Sequence, residues 1–377
     1  MLLVLGIILI VGLIVSHEFG HFIVARRNGV EIEEFGIFFP PRLYSHTTKA
    51  GWVFSVNALP LGGFVKLKGE HDSDTEHGTF GAASLMAKSK ILLAGVTMNL
   101  ITGLVLLTIL AVIGMPQVIN NQYVVKSNAK VLAHRVIVND VVSGSPAAKA
   151  GLRVGDQLTE FVQSGSKDTV AITQADKLRN LTQKFAGKTV IVHYERNGKS
   201  QVVQIHFLPP NSNYELGVGT QQMNLTRSTW SAPLVALGLG GQLIVATLAG
   251  LGHSLAGLGG LIAGAVTHNT VARQNGQSAA TANITGPVGI FAILRSSSAL
   301  GYQFVLFIVA YISLVLAFMN ILPIPVVDGG RLYVMLIMRA LKRPLTAKRE
   351  EAINLASVIV LLFLFVLITI ADVKRYY

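Results

Sequence analysis

Ile91 to Met115 contains no Asp, Glu, Lys or Arg and ends at Pro116. A helix crossing the hydrocarbon core of a bilayer needs roughly 20 largely apolar residues, so this stretch alone removes most water-soluble folds from consideration. Three more resemble it. Leu2 to Val15 is apolar throughout and continues through Ser16 to Ala25 with Glu18 as its only acid, Leu300 to Val327 carries no charge, and Ala352 to Ala371 lies between Glu351 and Asp372. Composition agrees: charged residues are 13% of the 377 and mean hydropathy is +0.55, against a charged share of about 25% in soluble domains. No basic residue precedes the first run and no small-x-small cleavage site follows it, so it reads as a retained helix and not a signal peptide.

The chain has no cysteine, which excludes disulfides, thiolate metal ligands and cysteine nucleophiles. Its net charge of +12 is spread through loops between apolar stretches. That pattern fits a protein facing anionic lipid better than a nucleic-acid partner, and no nucleic-acid module or phosphate-binding glycine loop is evident. Arg26 and Arg27 follow the first span, Lys88 and Lys90 precede the second, and Arg331, Arg339, Lys342, Arg343, Lys348 and Arg349 lie between the last two. All fall on the cytoplasmic side if the chain starts outside and crosses four times.

Between the second and third spans, residues 120–212 read as a soluble, β-rich domain. Thr189 to Tyr194 and Gln201 to Phe207 alternate polar and apolar residues around Asn197-Gly198, a hairpin pattern. Ser145 to Leu158 reads as a short Pro-initiated helix with a glycine stop, followed by Gly155-Asp156 opening a turn. This motif resembles a PDZ domain of the circularly permuted bacterial type, which implies capture of an extended peptide at a sheet edge. The plainer alternative is a small β-rich domain with no ligand. Residues 228–272 have no Asp, Glu, Lys or Arg and are dense in Gly, Ala and Leu. Asn269 to Asn283 reads as a flexible loop.

His17-Glu18-Phe19-Gly20-His21 is an HExxH motif in a helical context. Residues four apart share a helix face, so both imidazoles can bind one Zn²⁺ while Glu18 stands ready to take a proton from water. Ionisable groups inside a membrane segment are costly and mark function; the alternative is two interfacial helix-end histidines. A catalytic zinc takes three protein ligands. With no cysteine, the outstanding third candidate is Asp328, in Asn320-Ile-Leu-Pro-Ile-Pro-Val-Val-Asp328-Gly329-Gly330, where Pro323 and Pro325 break the helix and the glycines permit a sharp turn. Asp328 could otherwise merely cap the helix that follows. Glu70 to His77 could bind a second metal but reads better as a solvated loop. The remaining histidines have no partner at ligand spacing.

HExxH in the first span, the PDZ-like motif and N-x-x-P-x-P-x-x-D-G-G in the third together resemble the bacterial site-2 protease family, and more narrowly its regulator-of-sigma-E proteases. Pro60-Leu-Gly-Gly-Phe-Val-Lys66 and Gly286-Pro287-Val288-Gly289-Ile290 are similar to further family motifs. Family members often have a Gly-Pro step in the second span, where this chain reads Ala94-Gly95-Val96-Thr97-Met98-Asn99, and some carry tandem PDZ domains where this chain has room for one. The resemblance implies that Asn99 keeps a polar contact near the zinc. It implies too that Leu61 to Lys68, including Gly62, Gly63 and Phe64, forms a membrane-dipping β-hairpin pairing with unwound substrate, and that Asn320 holds the substrate backbone.

The expectation is thus a polytopic α-helical membrane protein with four transmembrane helices and an inserted extracytoplasmic PDZ domain. Residues 1–116 hold spans one and two, and 284–377 hold spans three and four. One extra crossing within 228–272 would put Asp328 on the far face, roughly 30 Å from the histidines, so that segment is expected to be interfacial or re-entrant. The expected activity is intramembrane endopeptidase with one Zn²⁺ per chain on His17, His21 and Asp328 and Glu18 as acid–base. Its expected place is the bacterial inner membrane, in contact with lipid, with the active site near the cytoplasmic side. Expected partners are transmembrane substrates such as anti-sigma factors or remnant signal peptides, together with a PDZ ligand peptide. The rivals are a proteolytically inactive PDZ membrane adaptor and a transporter using the same residues as a proton or ion relay.

Overall fold

The first apolar run forms α1 (Leu2–Arg27), which places Ser16, His17, Glu18 and His21 on two successive turns. Arg26 and Arg27 in its last turn suit the negative end of the helix dipole, and Gly29 at φ +75° follows the stop. The computed structural model describes residues 1–165, 169–196, 198–210, 212–282 and 285–376. They divide into two units, one of residues 4–106, 240–292 and 309–377, the other of 1–3, 107–239 and 293–308.

In the first unit, β1 (Ile32–Thr47) and β2 (Val53–Leu67) fold back on each other. Residues Ile32 to Ile37 pair with Leu67 to Gly63 on one side and Glu34 to Ile37 with Val53 to Val56 on the other, while Arg42 to Thr47 pair with Asn57 to Val53. The expected hairpin over Leu61 to Lys68 is therefore replaced by the outer strand of a larger sheet, with residues 63–67 at its edge. Buried Asn57 holds the bend of β1 by donating to the carbonyls of Ile37 and Phe38. Next comes α2 (Leu85–Ile113), whose first turn takes a bond from Ala87 N to Ser84 Oγ.

The second unit contains β3 (Met115–Pro116), β4 (Lys130–Val141), α3 (Pro146–Lys149), β5 (Gln157–Gln163), β6 (Thr169–Ala171), α4 (Ala175–Lys184), β7 (Thr189–Arg196), β8 (Lys199–His206) and β9 (Val218–Arg227). Its sheet runs β3-β9-β4-β5-β7-β8, with β6 on β5. Ser145 caps α3 by accepting from Ala148 N, Pro146 opens the helix, and Gly151 at φ +79° ends it. β7 and β8 pair from Thr189↔His206 to Arg196↔Lys199; of the expected turn, Asn197 lies outside the described residues. Alternating side chains of these strands bury Val136, Val138, Leu158, Phe161, Val190, Val192 and Ile205 together. The sheet also continues past the expected boundary at 212. β9 pairs with β4 from Lys130↔Arg227 to Val141↔Val218, so it belongs to this domain.

Then follow α5 (Ala232–Val266), α6 (Thr270–Ala282), α7 (Pro287–Leu300), α8 (Tyr302–Ile321), α9 (Asp328–Ala340) and α10 (Ala347–Tyr376). Among the described residues five helices, α1, α2, α5, α8 and α10, are long and apolar enough to cross a membrane, where four were expected. The addition is α5, in the segment expected to be interfacial or re-entrant. The expected flexible loop is helical over Thr270–Ala282, with Asn283 outside the described residues. α6 turns back along α5: a Cβ on Gly257 would lie 2.7 Å from the carbonyl carbon of Ala279, and one on Gly264 would lie 2.5 Å from Arg273 N. Glycine at these positions lets the two backbones touch.

Two ends of this unit can be identified by contacts. Asp72 bonds Lys88 at the start of α2, and Glu350 at the start of α10 accepts from Asp72 N. At the other end of α10, Asp372 accepts from Gly286 N at 2.9 Å and Gly289 N at 2.8 Å, capping α7. Glu350 and Asp372 are 22 residues apart on one helix, about 33 Å at 1.5 Å per residue. Within Glu70 to His77 the residues Ser73, Thr75, Glu76 and His77 are exposed, as expected of a solvated loop, whereas Asp72 is held by Lys88, which is 1% exposed, and by Arg339.

Candidate metal centre

The i, i+4 spacing on α1 brings His17 Nε2 within 3.3 Å of His21 Nε2, with the rings edge to face. Asp328, the first residue of α9, reaches the same point: its Oδ2 is 3.2 Å from His17 Nε2 and 3.3 Å from His21 Nε2. Buried Oδ2 has no hydrogen-bond partner among the described residues. The three donors form a nearly equilateral triangle, and they alone among the described His, Asp and Glu residues group closely enough to hold a metal. Tetrahedral zinc, with bonds of about 2.0–2.1 Å, holds its ligands about 3.3–3.4 Å apart. The triangle therefore fits that ion, and two imidazoles with one carboxylate suit its chemistry.

The opposite ring nitrogens are also placed. His21 Nδ1 lies 2.8 Å from the carbonyl of Ile91 on α2, an acceptor for an N–H there. That leaves Nε2 to face the triangle, as a metal-binding histidine requires. His17 Nδ1 is 3.2 Å from the side-chain amide of Asn99, whose Oδ1 is buried without a partner. Turning that amide by 180° lets Oδ1 accept from His17 Nδ1–H, which leaves His17 Nε2 to face the triangle; the two amide ends have the same shape. Asn99 is itself positioned, since its carbonyl accepts from Ser313 Oγ on α8 at 2.7 Å.

Glycines let these helices come together. A Cβ on Gly20 would sit 2.7 Å from the Ala94 carbonyl, so α1 and α2 touch backbone to backbone there. A Cβ on Gly95 would strike both imidazoles, His17 Nδ1 at 2.6 Å among the nearest atoms. Gly95 was not among the expected site residues; its position four residues before Asn99 on the same helix face was the available signal. Gly95→Ala is expected to displace a ring and lower zinc occupancy well below one per chain, as read by elemental analysis after dialysis.

Pro323 and Pro325 fall in the non-helical stretch between α8 and α9, which folds over the start of α9. A Cβ on Gly329 would lie 2.6 Å from the Ile321 carbonyl, and one on Gly330 would overlap the Ile324 carbonyl. Both glycines lie inside the helix, so they serve close approach and not the sharp turn expected of them.

Glu18 faces β2. A Cβ on Gly63 would be 3.2 Å from Glu18 Cγ and 3.5 Å from Ile14. Gly62 and Phe64 point elsewhere: the Phe64 ring covers Gly36 and stacks on Phe39 at 6.4 Å, while Gly62 lies under Phe39. Of the three expected strand residues, Gly63 alone adjoins Glu18. Asn320 is half-buried in the last turn of α8. The His17 and Asp328 side chains are 14% and 22% exposed, while Asp328 Oδ2 is buried. The arrangement offers three metal donors, one carboxylate beside them and an edge strand next to that carboxylate.

Residues 5–364 match the model of peptidase family M50. A Clostridium perfringens protein provisionally described as a zinc metalloprotease is 27% identical, the alignment covering 99% of this chain and 98% of the relative. A Fusobacterium nucleatum protein with the same description is 26% identical, covering 98% of this chain and 97% of its own length. One from Rickettsia conorii is 26% identical over 100% and 99%.

Proposed function

The chain belongs to peptidase family M50, and from that premise we propose that this multi-pass membrane metalloprotease is a zinc endopeptidase of the site-2 type, cutting peptide bonds within transmembrane segments. One observation carries the reading: a zinc-sized triangle of donors, with Glu18 beside it, built on a helix apolar enough to cross a membrane. His17, His21 and Asp328 would hold the ion. Bound zinc supplies Lewis acidity, polarising the scissile carbonyl and lowering the pKa of water.

The chain's own groups do the rest. The carbonyl of Ile91 and the amide of Asn99 fix the imidazole orientations. Glu18 takes a proton from the attacking water and gives it to the leaving amine. A peptide bond inside a helix is shielded by neighbouring turns, so a substrate must extend before it is cut. The edge at residues 63–67 can pair with its freed N–H and C=O groups, which would otherwise cost several kcal/mol each in lipid. Asn320 is the candidate to hold the substrate backbone.

The proposed setting is a bacterial inner membrane, with the site near the cytoplasmic side and the β domain, read as a PDZ module, outside. α10 starts at the Asp72–Glu350 contact and ends beside Gly286, which Asp372 holds, and a re-entrant or interfacial course is the reading for 228–272. Proposed substrates include anti-sigma factors and remnant signal peptides, and the β domain would bind an extended peptide from substrate or partner.

Purified protein mixed with a single-span substrate should release fragments whose new ends, mapped by mass spectrometry, lie inside the span. Chelation should stop cleavage and added zinc restore it. Cuts confined to soluble loops, or cleavage indifferent to chelator, would contradict the reading.

A further inference from the structure

We propose that Arg331 is a positioning residue, tying the edge strand beside Glu18 to the helix that begins with Asp328 so that substrate backbone and metal ligands stay in register. The inference rests on the protease reading above. Arg331 lies one turn after Asp328 on α9. Its Nη2 donates to the carbonyl of Glu70, its Nε donates to Glu350 Oε1 at 3.2 Å, and its guanidinium sits 4.8 Å over the Phe80 ring. Glu70 faces the other way with its side chain, where Oε1 accepts from Leu67 N at 3.0 Å. Leu67 ends the strand that holds Gly63 against Glu18. Two hydrogen bonds through one residue thus connect α9 to that strand.

Neither end of the connection has slack. At the strand end, Lys68 N bonds the Glu31 carbonyl, Phe80 N bonds the Lys68 carbonyl and Gly81 N bonds the Gly69 carbonyl, so residues 68–81 form a fastened loop. At the helix end, Gly329 and Gly330 press on the backbone of residues 320–324. Glu350 is 4% exposed and also takes Asp72 N, while Asp72 binds Lys88 on α2, the helix of Gly95 and Asn99. Desolvating such charges is expensive, and an apolar replacement serves stability as well. What the network adds is geometry. The forked guanidinium can serve Glu350 and the Glu70 carbonyl together, whereas a lysine ammonium is a single point donor.

The test uses full-length protein in lipid nanodiscs, with Arg331→Lys, Glu70→Ala and Glu70→Gln. In Arg331→Lys and Glu70→Ala, kcat on a transmembrane substrate should fall about 10–100-fold, the effect of a misplacement near 1 Å, with zinc content unchanged. In zinc-free protein of both variants, amides of residues 63–67 should exchange hydrogen about tenfold faster than in the parent while α2 stays protected. Glu70→Gln keeps the acceptor for Leu67 N and should match the parent in both readouts. The double variant Arg331→Lys/Glu70→Ala should be no worse than the poorer single one, because both break one path. Parental kcat in Arg331→Lys, unchanged strand exchange, or additive losses would overturn the proposal. Should the parent itself cut no transmembrane substrate, the protease reading fails, while the exchange measurement still decides the link between Arg331 and the strand.

Discussion

Glu18→Gln is expected to leave zinc in place and reduce cleavage by at least about 10²–10⁴-fold, the usual contribution of a positioned general acid–base. Glutamine has nearly the volume of glutamate, so the packing of residue 18 against Gly63 of β2 survives. What it cannot do is carry a proton from water to the departing amine. Glu18 stands outside the triangle formed by His17, His21 and Asp328, which is why metal content and cleavage should separate. Both are read on one preparation, by elemental analysis and by digestion of a single-span substrate. Loss of zinc would make Glu18 a ligand or a structural support, and undiminished cleavage would remove it from the chemistry. Cells carrying this variant should also accumulate truncated spanning fragments of the physiological substrates.

Asp328→Ala is expected to lose the metal itself. Removing even an outer partner of a metal ligand costs about 10–100-fold in affinity, so deleting one of three donors should cost more than about 100-fold. Among the described residues Asp328 Oδ2 meets only the two imidazoles. Competition with a chromophoric chelator measures the affinity, and cleavage should vanish in parallel. Parental zinc affinity in this variant would mean that a different group supplies the third ligand.

The cluster of His17, His21 and Asp328 was legible because its parts are local or strongly patterned. Four-residue spacing on a helix forces His17 and His21 together, and a carboxylate at the end of a charge-free run broken by Pro323 and Pro325 has few other uses. The elements that were not legible depend on partners distant in sequence. Asp72 and Glu70 look like loop residues until Lys88 is found 16 positions away and Arg331 261 positions away. β9 is polar along much of its length and gains its place only by pairing with β4. For the apolar segment 228–272, the need to keep Asp328 with the histidines argues against one extra crossing and for an interfacial or re-entrant helix. In the structure α6 turns back on α5 through Gly257, Gly264 and Gly276. Glycines at 257, 260 and 264 on one helix face were the sequence signal for that close return. Gly95 shows the same limit: its place one turn before Asn99 is the only local signal, and the two imidazoles that fill the space a side chain would need come from α1.

X-ray absorption at the zinc edge of chelator-free, purified protein tests the central claim most directly. The account predicts one zinc per chain, bound through nitrogen and oxygen at about 2.0–2.1 Å with at least two imidazoles and no sulfur, and loss of that signal in Asp328→Ala. Protein that stays free of zinc after reconstitution, or a bound zinc without imidazole ligands, would contradict it.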